Sequence, residues 1–527
     1  MTFTIEKNKI FKNTATMYVR MAITMVIAFF TTRVTLEQLG VDDFGLNNLV
    51  GSIVSMFSFL NGSMGTAVQR FFSIEIGKGN DARIKKIYGV GLFLHILVAI
   101  ISIVGAEFFA LFFLEKLNIP ENRMFAAHIV FQISIMSFAL NIVNVPNAAL
   151  LRAREWFSKT AMVEIVQAFL RLGVLFLLVY FGKDKLITFS ILNLFVTLYY
   201  VSSILFLARK FSETHTRPII DKVLIREMLT FISLLIFTVL AQLLKTQGLI
   251  VLINLFFGLA INAAYAVAVQ VSNLLNTFVQ NFKSAMVPQM MAAYGADDKK
   301  SMHSLITSGT KIAFLMMLVL SMPLLIDGDW LLSIWLREVP LYSKELVALT
   351  VIFINVSSFA YFLYQGVHAT GKIKGQQICM SSLYFANIGI IYVVLKLGGS
   401  FYSALYVNIL ISVIQCMVNI YYAKKTFGFD ALKFVLKTCL PCLLVFVVIF
   451  GSLYCFSSMF ETSIKRVLLD VCVEIVLTGI LGYFVIMNKD ERKMSKNFMV
   501  KKLRSKSAEK IKSLLPFKKT FFFIAIR

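Results

Sequence analysis

The segment Gln270–Ser284, QVSNLLNTFVQNFKS, is largely apolar yet carries Gln270, Asn273, Asn276, Thr277, Gln280 and Asn281. Steps of three and four residues place these side chains along one face of a helix. A milder polar row stands 218 positions earlier: Ser52, Ser55, Ser58, Ser63 and Thr66 occupy the places of Gln270, Asn273, Asn276, Asn281 and Ser284. An amide facing lipid costs free energy, because nothing there can hydrogen-bond it. One such row alone reads as glue between helices. Two rows at matching positions read as walls of a shared cavity.

The sequence around both rows is that of a membrane protein. Of 527 residues, 58% are hydrophobic and 15% charged, which excludes an ordinary soluble domain. Apolar runs of about 20 residues recur along the chain, each long enough to cross a bilayer. Fourteen spans are expected. With charges near a span end counted with the adjoining side, as for Arg20 and Arg33, ten of the 52 Lys and Arg residues fall on odd-numbered connections and forty on the termini and even-numbered ones, leaving Arg171 and Lys245 deep inside spans. This bias places both termini in the cytoplasm. The net charge of +24 therefore sets topology and meets anionic membrane lipids, and no nucleic-acid partner is inferred. The six cysteines lie in apolar segments, and Cys439-Leu-Pro-Cys442 opens a hydrophobic helix without the βαβ context of a redox motif. Met1–Lys12 is polar and the first apolar run is span-length, so no cleavable signal peptide is expected.

The spacing of 218 extends beyond the polar rows. It relates Gly40 to Gly258, Gly77 to Gly295 and Arg154 to Lys372. Spans 1–6 thus repeat as spans 7–12. Six is even, so both repeats start on one side of the membrane and should be related by a pseudo-two-fold axis along its normal. The expected fold is an all-α integral membrane protein with about 14 transmembrane helices, two six-helix lobes and two C-terminal helices. The boundaries are an N-lobe over 1–210, a cytoplasmic linker over 211–227, a C-lobe over 228–425, spans 13 and 14 over 426–488, and a basic tail over 489–527. That tail reads either as an amphipathic segment on the inner leaflet or as a positively charged disordered anchor.

Charges at membrane depth are costly and are tolerated mainly where they face a cavity or a partner. Arg171 lies near the middle of span 5, Lys245 past the middle of span 7, Arg20 about two turns into span 1, and Arg33 near its outer end. Glu164 precedes Arg171 by seven residues and shares its helical face. Deep positive charge outweighs negative, and a guanidinium matches the paired oxygens of a phosphate. Arg20, Arg171, Lys245 and Arg33 are therefore the candidate anion-binding residues. Ser52, Ser55, Asn141, Asn144, Gln270, Asn273, Asn276 and Gln280 are the candidate cavity lining. Tyr361, Tyr364 and Gln365 occupy the matching region of span 10. Glu107 and Glu474 are weaker candidates for proton sites, and His95, His128 and His368 read as hydrogen-bonded packing. No nucleotide-binding loop, nucleophile elbow or pair of extramembrane carboxylates is present, so neither enzymatic activity, a metal nor a cofactor is expected.

Four connectors carry a family resemblance. They are Asn8-Lys-Ile-Phe-Lys-Asn13, Leu39-Gly-Val-Asp-Asp-Phe-Gly45, Asn281-Phe-Lys-Ser-Ala-Met-Val-Pro-Gln289 and Ala369-Thr-Gly-Lys-Ile-Lys374. With the fourteen-span pattern, they make the chain resemble the Wzx-type oligosaccharide-lipid flippases. These belong to the polysaccharide transporter family of the multidrug/oligosaccharidyl-lipid/polysaccharide exporter (MOP) superfamily. The resemblance implies a bilobed transporter in the bacterial cytoplasmic (inner) membrane. It would move undecaprenyl-diphosphate-linked sugar repeat units to the outer leaflet for O-antigen or capsule synthesis, beside polysaccharide polymerase and assembly proteins. Span 1 lacks the deep Asp or Glu that drug-exporting relatives use for cation coupling. A cation-coupled drug exporter is the nearest alternative, and a membrane-embedded polymerase or ligase, which would need a large external loop, is a more distant one.

Overall fold

A computed structural model describes residues 7–55, 58–113, 121–178, 184–336, 339–488 and 491–492; these are helical, with no strand among them. The expected basic tail lies outside the described residues, apart from Glu491 and Arg492. The N-lobe comprises α1 (Lys7–Ser55), α2 (Ser58–Lys78), α3 (Asp81–Phe113), α4 (Glu121–Ala153), α5 (Phe157–Leu177) and α6 (Lys185–Ala208). The C-lobe comprises α7 (Lys222–Gly295), α8 (Lys299–Ile326), α9 (Gly328–Trp335), α10 (Ser343–Ser358), α11 (Tyr361–Thr370), α12 (Lys374–Lys396) and α13 (Phe401–Phe427). Beyond them α14 (Ala431–Phe434) runs through a π-helical turn into α15 (Leu440–Ser457), followed by α16 (Ile464–Leu481).

Among the described residues, eleven helices are long and apolar enough to cross a membrane, and they correspond to expected spans 3–7 and 9–14. The other three expected spans lie in α1, α2 and the second half of α7. These segments hold Arg20, the serine row and the amide row. Elsewhere the outward faces are apolar: Ile100, Ile101, Val104 and Phe108 on α3, and Phe169 and Phe176 on α5, are exposed.

Two long helices fold back on themselves. At 1.5 Å per residue a straight α1–α2 run would separate Arg20 from Thr66 by about 70 Å, yet both line one cavity. Glu227 and Gly295, both in α7, would stand about 100 Å apart, yet they line one pocket. The reversals occur at Gly40 (φ 78°, ψ 173°) and Gly258 (φ 77°, ψ −171°). This region of backbone space is nearly closed to residues with a Cβ. The two glycines are 218 positions apart and adopt the same conformation, as an internal repeat requires.

The lobes meet most closely where α2 crosses the end of α7. A Cβ on Gly77 would overlap the carbonyl oxygen of Ala292, and a Cβ on Gly295 would overlap that of Ile74. Positions 74 and 292 are also 218 apart, so this contact is its own image under the pseudo-two-fold. At the opposite end of the N-lobe, Arg123 ties Asp43 to Asp184, its Nη1 donating to Asp184 Oδ2 at 2.7 Å. Asp184 in turn caps α6 by accepting from the Leu186 and Ile187 amides at 3.0 and 3.2 Å.

The chain divides into two compact units, residues 1–317 with 331–431, and 318–330 with the residues from 432 on. In the second unit, Arg466 pairs with Asp327 and donates to the Ser457 and Phe460 carbonyls at 3.1 and 2.9 Å. Glu474 lies fully buried two turns along α16.

Because a Cβ does not fit at the α2–α7 crossing, Gly295→Ala is expected to separate the lobes there, at a typical overpacking cost of about 1–3 kcal/mol. Ser73, buried and adjacent to Ile74 in the chain, serves as the reporter. In a background lacking the native cysteines, Ser73→Cys should be alkylated faster when Gly295→Ala is present. Equal labelling and equal melting would show that the crossing tolerates the methyl group.

Candidate functional site

A cavity of about 660 Å³ lies between the lobes. From the N-lobe, α1 contributes Arg20, α2 Thr66 and Gln69, α4 Asn141, Asn144 and Arg152, α5 Thr160 and Glu164, and α6 Tyr200. From the C-lobe, α7 contributes Gln280 and Ser284, and α11 contributes Tyr361 and Gln365. Helical spacing explains each set. Asn141, Asn144, Ala148 and Arg152 follow one another by three or four residues, as do Gln280, Ser284, Val287 and Met291.

Three lining residues carry charge. Arg20 reaches from α1 to pair with Glu164 on α5, and its Nη2 donates to Asn281 Oδ1 on α7 at 3.3 Å. Glu164, the one carboxylate among the lining residues, is thus already engaged. Among the described residues Arg152 makes no ion pair, although Glu164 lies within electrostatic reach, and its Nε is buried without a hydrogen-bond partner. The described lining residues therefore carry one net positive charge in surroundings that offer many neutral donors and acceptors. Asn147 donates to Asn144 Oδ1 at 3.1 Å and accepts from the Tyr88 hydroxyl at 2.7 Å, which fixes the amide orientation on α4. Gln280 Nε2 donates to the Tyr361 hydroxyl at 3.2 Å, and Lys283 packs over the Tyr361 ring at 4.7 Å.

Contacts between the lobes close this region. Tyr18 OH donates to the Phe278 carbonyl at 3.0 Å, and Met17, Phe157 and Ala285 form a small apolar cluster. Gln289 on α7 donates to Glu155 Oε2 at 3.1 Å, and Asn13 donates to the same oxygen at 3.2 Å. Arg70 on α2 donates from Nε to the His368 carbonyl and from Nη2 to the Ala369 carbonyl at 3.0 Å, at the end of α11.

Of the residues singled out in the sequence, Arg20, Asn141, Asn144 and Gln280 come together in the cavity. Gln270 and Asn273 continue the Gln280 stripe along α7 but are exposed and lie outside the lining. Asn276, on the same face, is also outside the lining, its amide turned back to the Ser272 carbonyl at 3.0 Å and hydroxyl at 3.3 Å. Arg171 lies two turns past Glu164, exposed and outside the lining. Lys245 departs most from its expected place. It is buried in the C-lobe, its ammonium 4.8 Å from the Phe353 ring centre and 5.9 Å from that of Tyr384. Cation–π contact with two rings holds this charge without a carboxylate. The side chains of Arg33, Ser52 and Ser55 lie outside the described residues.

Arg152, Gln69 and Tyr200 line the cavity without having been singled out in the sequence. Arg152 follows the amides of α4 at helical spacing. By sequence position it is one of the forty Lys and Arg residues assigned to the termini and even-numbered connections, whereas α4 continues to Ala153 and holds it on the helix.

Two pseudo-symmetric helical lobes thus enclose a polar cavity, and among the described residues eleven helices are long and apolar enough to cross a membrane. In agreement, residues 18–177 match the MatE family model. The fold also matches crystal structures of MATE transporters. One in the bent conformation has a TM-score of 0.70 at 12% identity, covering 80% of this chain and 95% of that one. An outward-facing multidrug resistance MATE family transporter of the MOP superfamily has a TM-score of 0.66 at 13% identity, with coverage of 80% and 95%. A MOP superfamily transporter from Pyrococcus furiosus, described as having a binding pocket of reverse polarity that suggests a different function, has a TM-score of 0.63 at 14% identity, with coverage of 79% and 96%. No curated protein matches the chain in sequence.

Glu164 is expected to matter through Arg20. Replacing it with Gln leaves a half-buried guanidinium without its anion, a loss of about 1–3 kcal/mol. In a double-mutant cycle of thermal unfolding, Glu164→Gln and Arg20→Gln together should cost less than the sum of the single changes. Strict additivity would show that the two side chains do not depend on each other.

Proposed function

We propose that this protein is a flippase. It carries oligosaccharide repeat units linked to undecaprenyl diphosphate from the cytoplasmic to the outer leaflet of a bacterial inner membrane, by alternating access through the cavity between its lobes. The observation that carries this reading is the pairing of charges in the lining: Glu164 is taken by Arg20, and Arg152 is left over. A site with a spare guanidinium favours an anion such as a diphosphate. The amides of Gln69, Asn141, Asn144, Gln280 and Gln365 offer both donors and acceptors to sugar hydroxyls. Ligand pockets run to about 300–1,000 Å³, and 660 Å³ suits a headgroup whose polyprenyl tail remains in lipid. Export of an organic cation fits less well, because it calls for an unengaged carboxylate.

The test is transport itself. In cells lacking the gene, lipid-linked repeat units should accumulate on the cytoplasmic leaflet, and the wild-type chain should clear them. Arg20→Ala and Arg152→Ala should each lower clearance roughly tenfold or more, the loss expected for one charged hydrogen-bond partner, with membrane insertion unchanged. Lys245→Met, whose ammonium does not line the cavity, should retain clearance. Full clearance with both arginines replaced would remove the proposed anion site.

A further inference from the structure

A second cavity, of about 780 Å³, opens outside the transport cavity, at the end of the lobes that carries the α2–α7 crossing. Its walls come from α2, the first turns of α7 and the turn joining α11 to α12. Four cations line it: Arg70, Lys222, Arg226 and Lys372. The one carboxylate among the lining residues, Glu227, takes Arg83 Nη2 at 3.5 Å. Nearby Asp221 spends its Oδ1 on capping α7, accepting from the Val223 and Leu224 amides at 3.1 and 3.0 Å. No ion pair engages Lys222, Arg226 or Lys372 among the described residues. Beneath these charges the floor is apolar, formed by Phe71, Phe231, Leu234 and Ile373. Val223 (77% exposed) and Ile220 (67% exposed) flank the same helix start.

We propose that this pocket binds the phosphate headgroup of an anionic phospholipid, and that the bound lipid favours the state in which the lobes are closed at this end. The cations supply the phosphate site, as basic pockets between membrane helices do for lipid headgroups. The apolar floor and flanks select a lipid over a free anion, since a solvated phosphate gains nothing from Leu234 or exposed Val223.

The link to closure runs through Arg70. Its guanidinium lies between the Phe71 and Phe231 rings, 4.9 and 4.7 Å from their centres, and donates to the carbonyls that end α11. Gly371 (φ 75°) leaves room for it, because a Cβ there would crowd Nη2. The pocket thus takes Arg70 from the N-lobe and Lys222, Arg226 and Lys372 from the C-lobe. A headgroup spanning both sets binds best when the lobes are together, and by linkage it stabilises that arrangement.

The full-length chain in nanodiscs of phosphatidylcholine with increasing phosphatidylglycerol provides the test, with retained lipid read by native mass spectrometry. The wild type should retain phosphatidylglycerol. Combined Lys222→Gln, Arg226→Gln and Lys372→Gln should weaken retention on the order of a hundredfold, about fivefold for each cation removed. Melting in pure phosphatidylcholine should be unchanged and serves as the folding control. Glu227→Gln, which removes the pocket's carboxylate, should strengthen retention. In the Ser73→Cys background, phosphatidylglycerol should slow alkylation of the wild type but not of the triple variant. Equal retention by wild type and triple variant would overturn the site. Protection by inorganic phosphate equal to that by phosphatidylglycerol would assign the pocket to a free anion. Alkylation insensitive to phosphatidylglycerol would overturn the link to closure.

Discussion

Everything between the lobes depends on how closely α2 and the end of α7 approach at Gly77 and Gly295. There a backbone carbonyl of each helix fills the space that a side chain would take on the other. The close approach is possible only with glycine, and it brings the neighbouring turns within reach of one another. Arg70 can then bond the end of α11, and Gln289 can reach Glu155. The contact is symmetric under the 218-residue repeat. A junction made of backbone and a few hydrogen bonds is compatible with the alternating access proposed above.

The repeat that builds this junction was legible in the sequence. Gly40 and Gly258 are recognisable as a pair because no other residue type adopts their backbone conformation at low cost, and identity at that spacing survives where side-chain patterns drift. The polar rows were legible for a related reason, since a helix in lipid has little use for them unless they face water or protein. Which part of a row lines the cavity was not legible. Gln270, Asn273 and Gln280 share one stripe, yet only Gln280 lies among the lining residues, because the cavity spans a fraction of the helix length and its extent is set by the facing lobe.

Single charges were harder to read than patterns. Lys245 and Arg152 illustrate opposite errors. Lys245 looks like a cavity residue by depth alone, but two aromatic rings from α10 and α12, more than a hundred residues away in the chain, provide its environment. Arg152 looks like a topology-setting charge by position alone, but one extra turn of α4 carries it onto the cavity wall. Arg20 was identified as deep and cationic, whereas its pairing with Glu164 depends on α1 packing beside α5. That pairing leaves the net positive charge of the lining unchanged but ties up its carboxylate, so that Arg152 is the charged side chain of the described lining without an ion pair.

The most direct measurement is a structure of the full chain with a polyprenyl-diphosphate-linked sugar bound. Density for the diphosphate is expected within hydrogen-bonding distance of Arg152 and beside the Arg20–Glu164 pair, with the sugar against Asn141, Asn144 and Gln280. Density for the diphosphate on the outer faces of the lobes, with the central cavity empty, would contradict a cationic site between them.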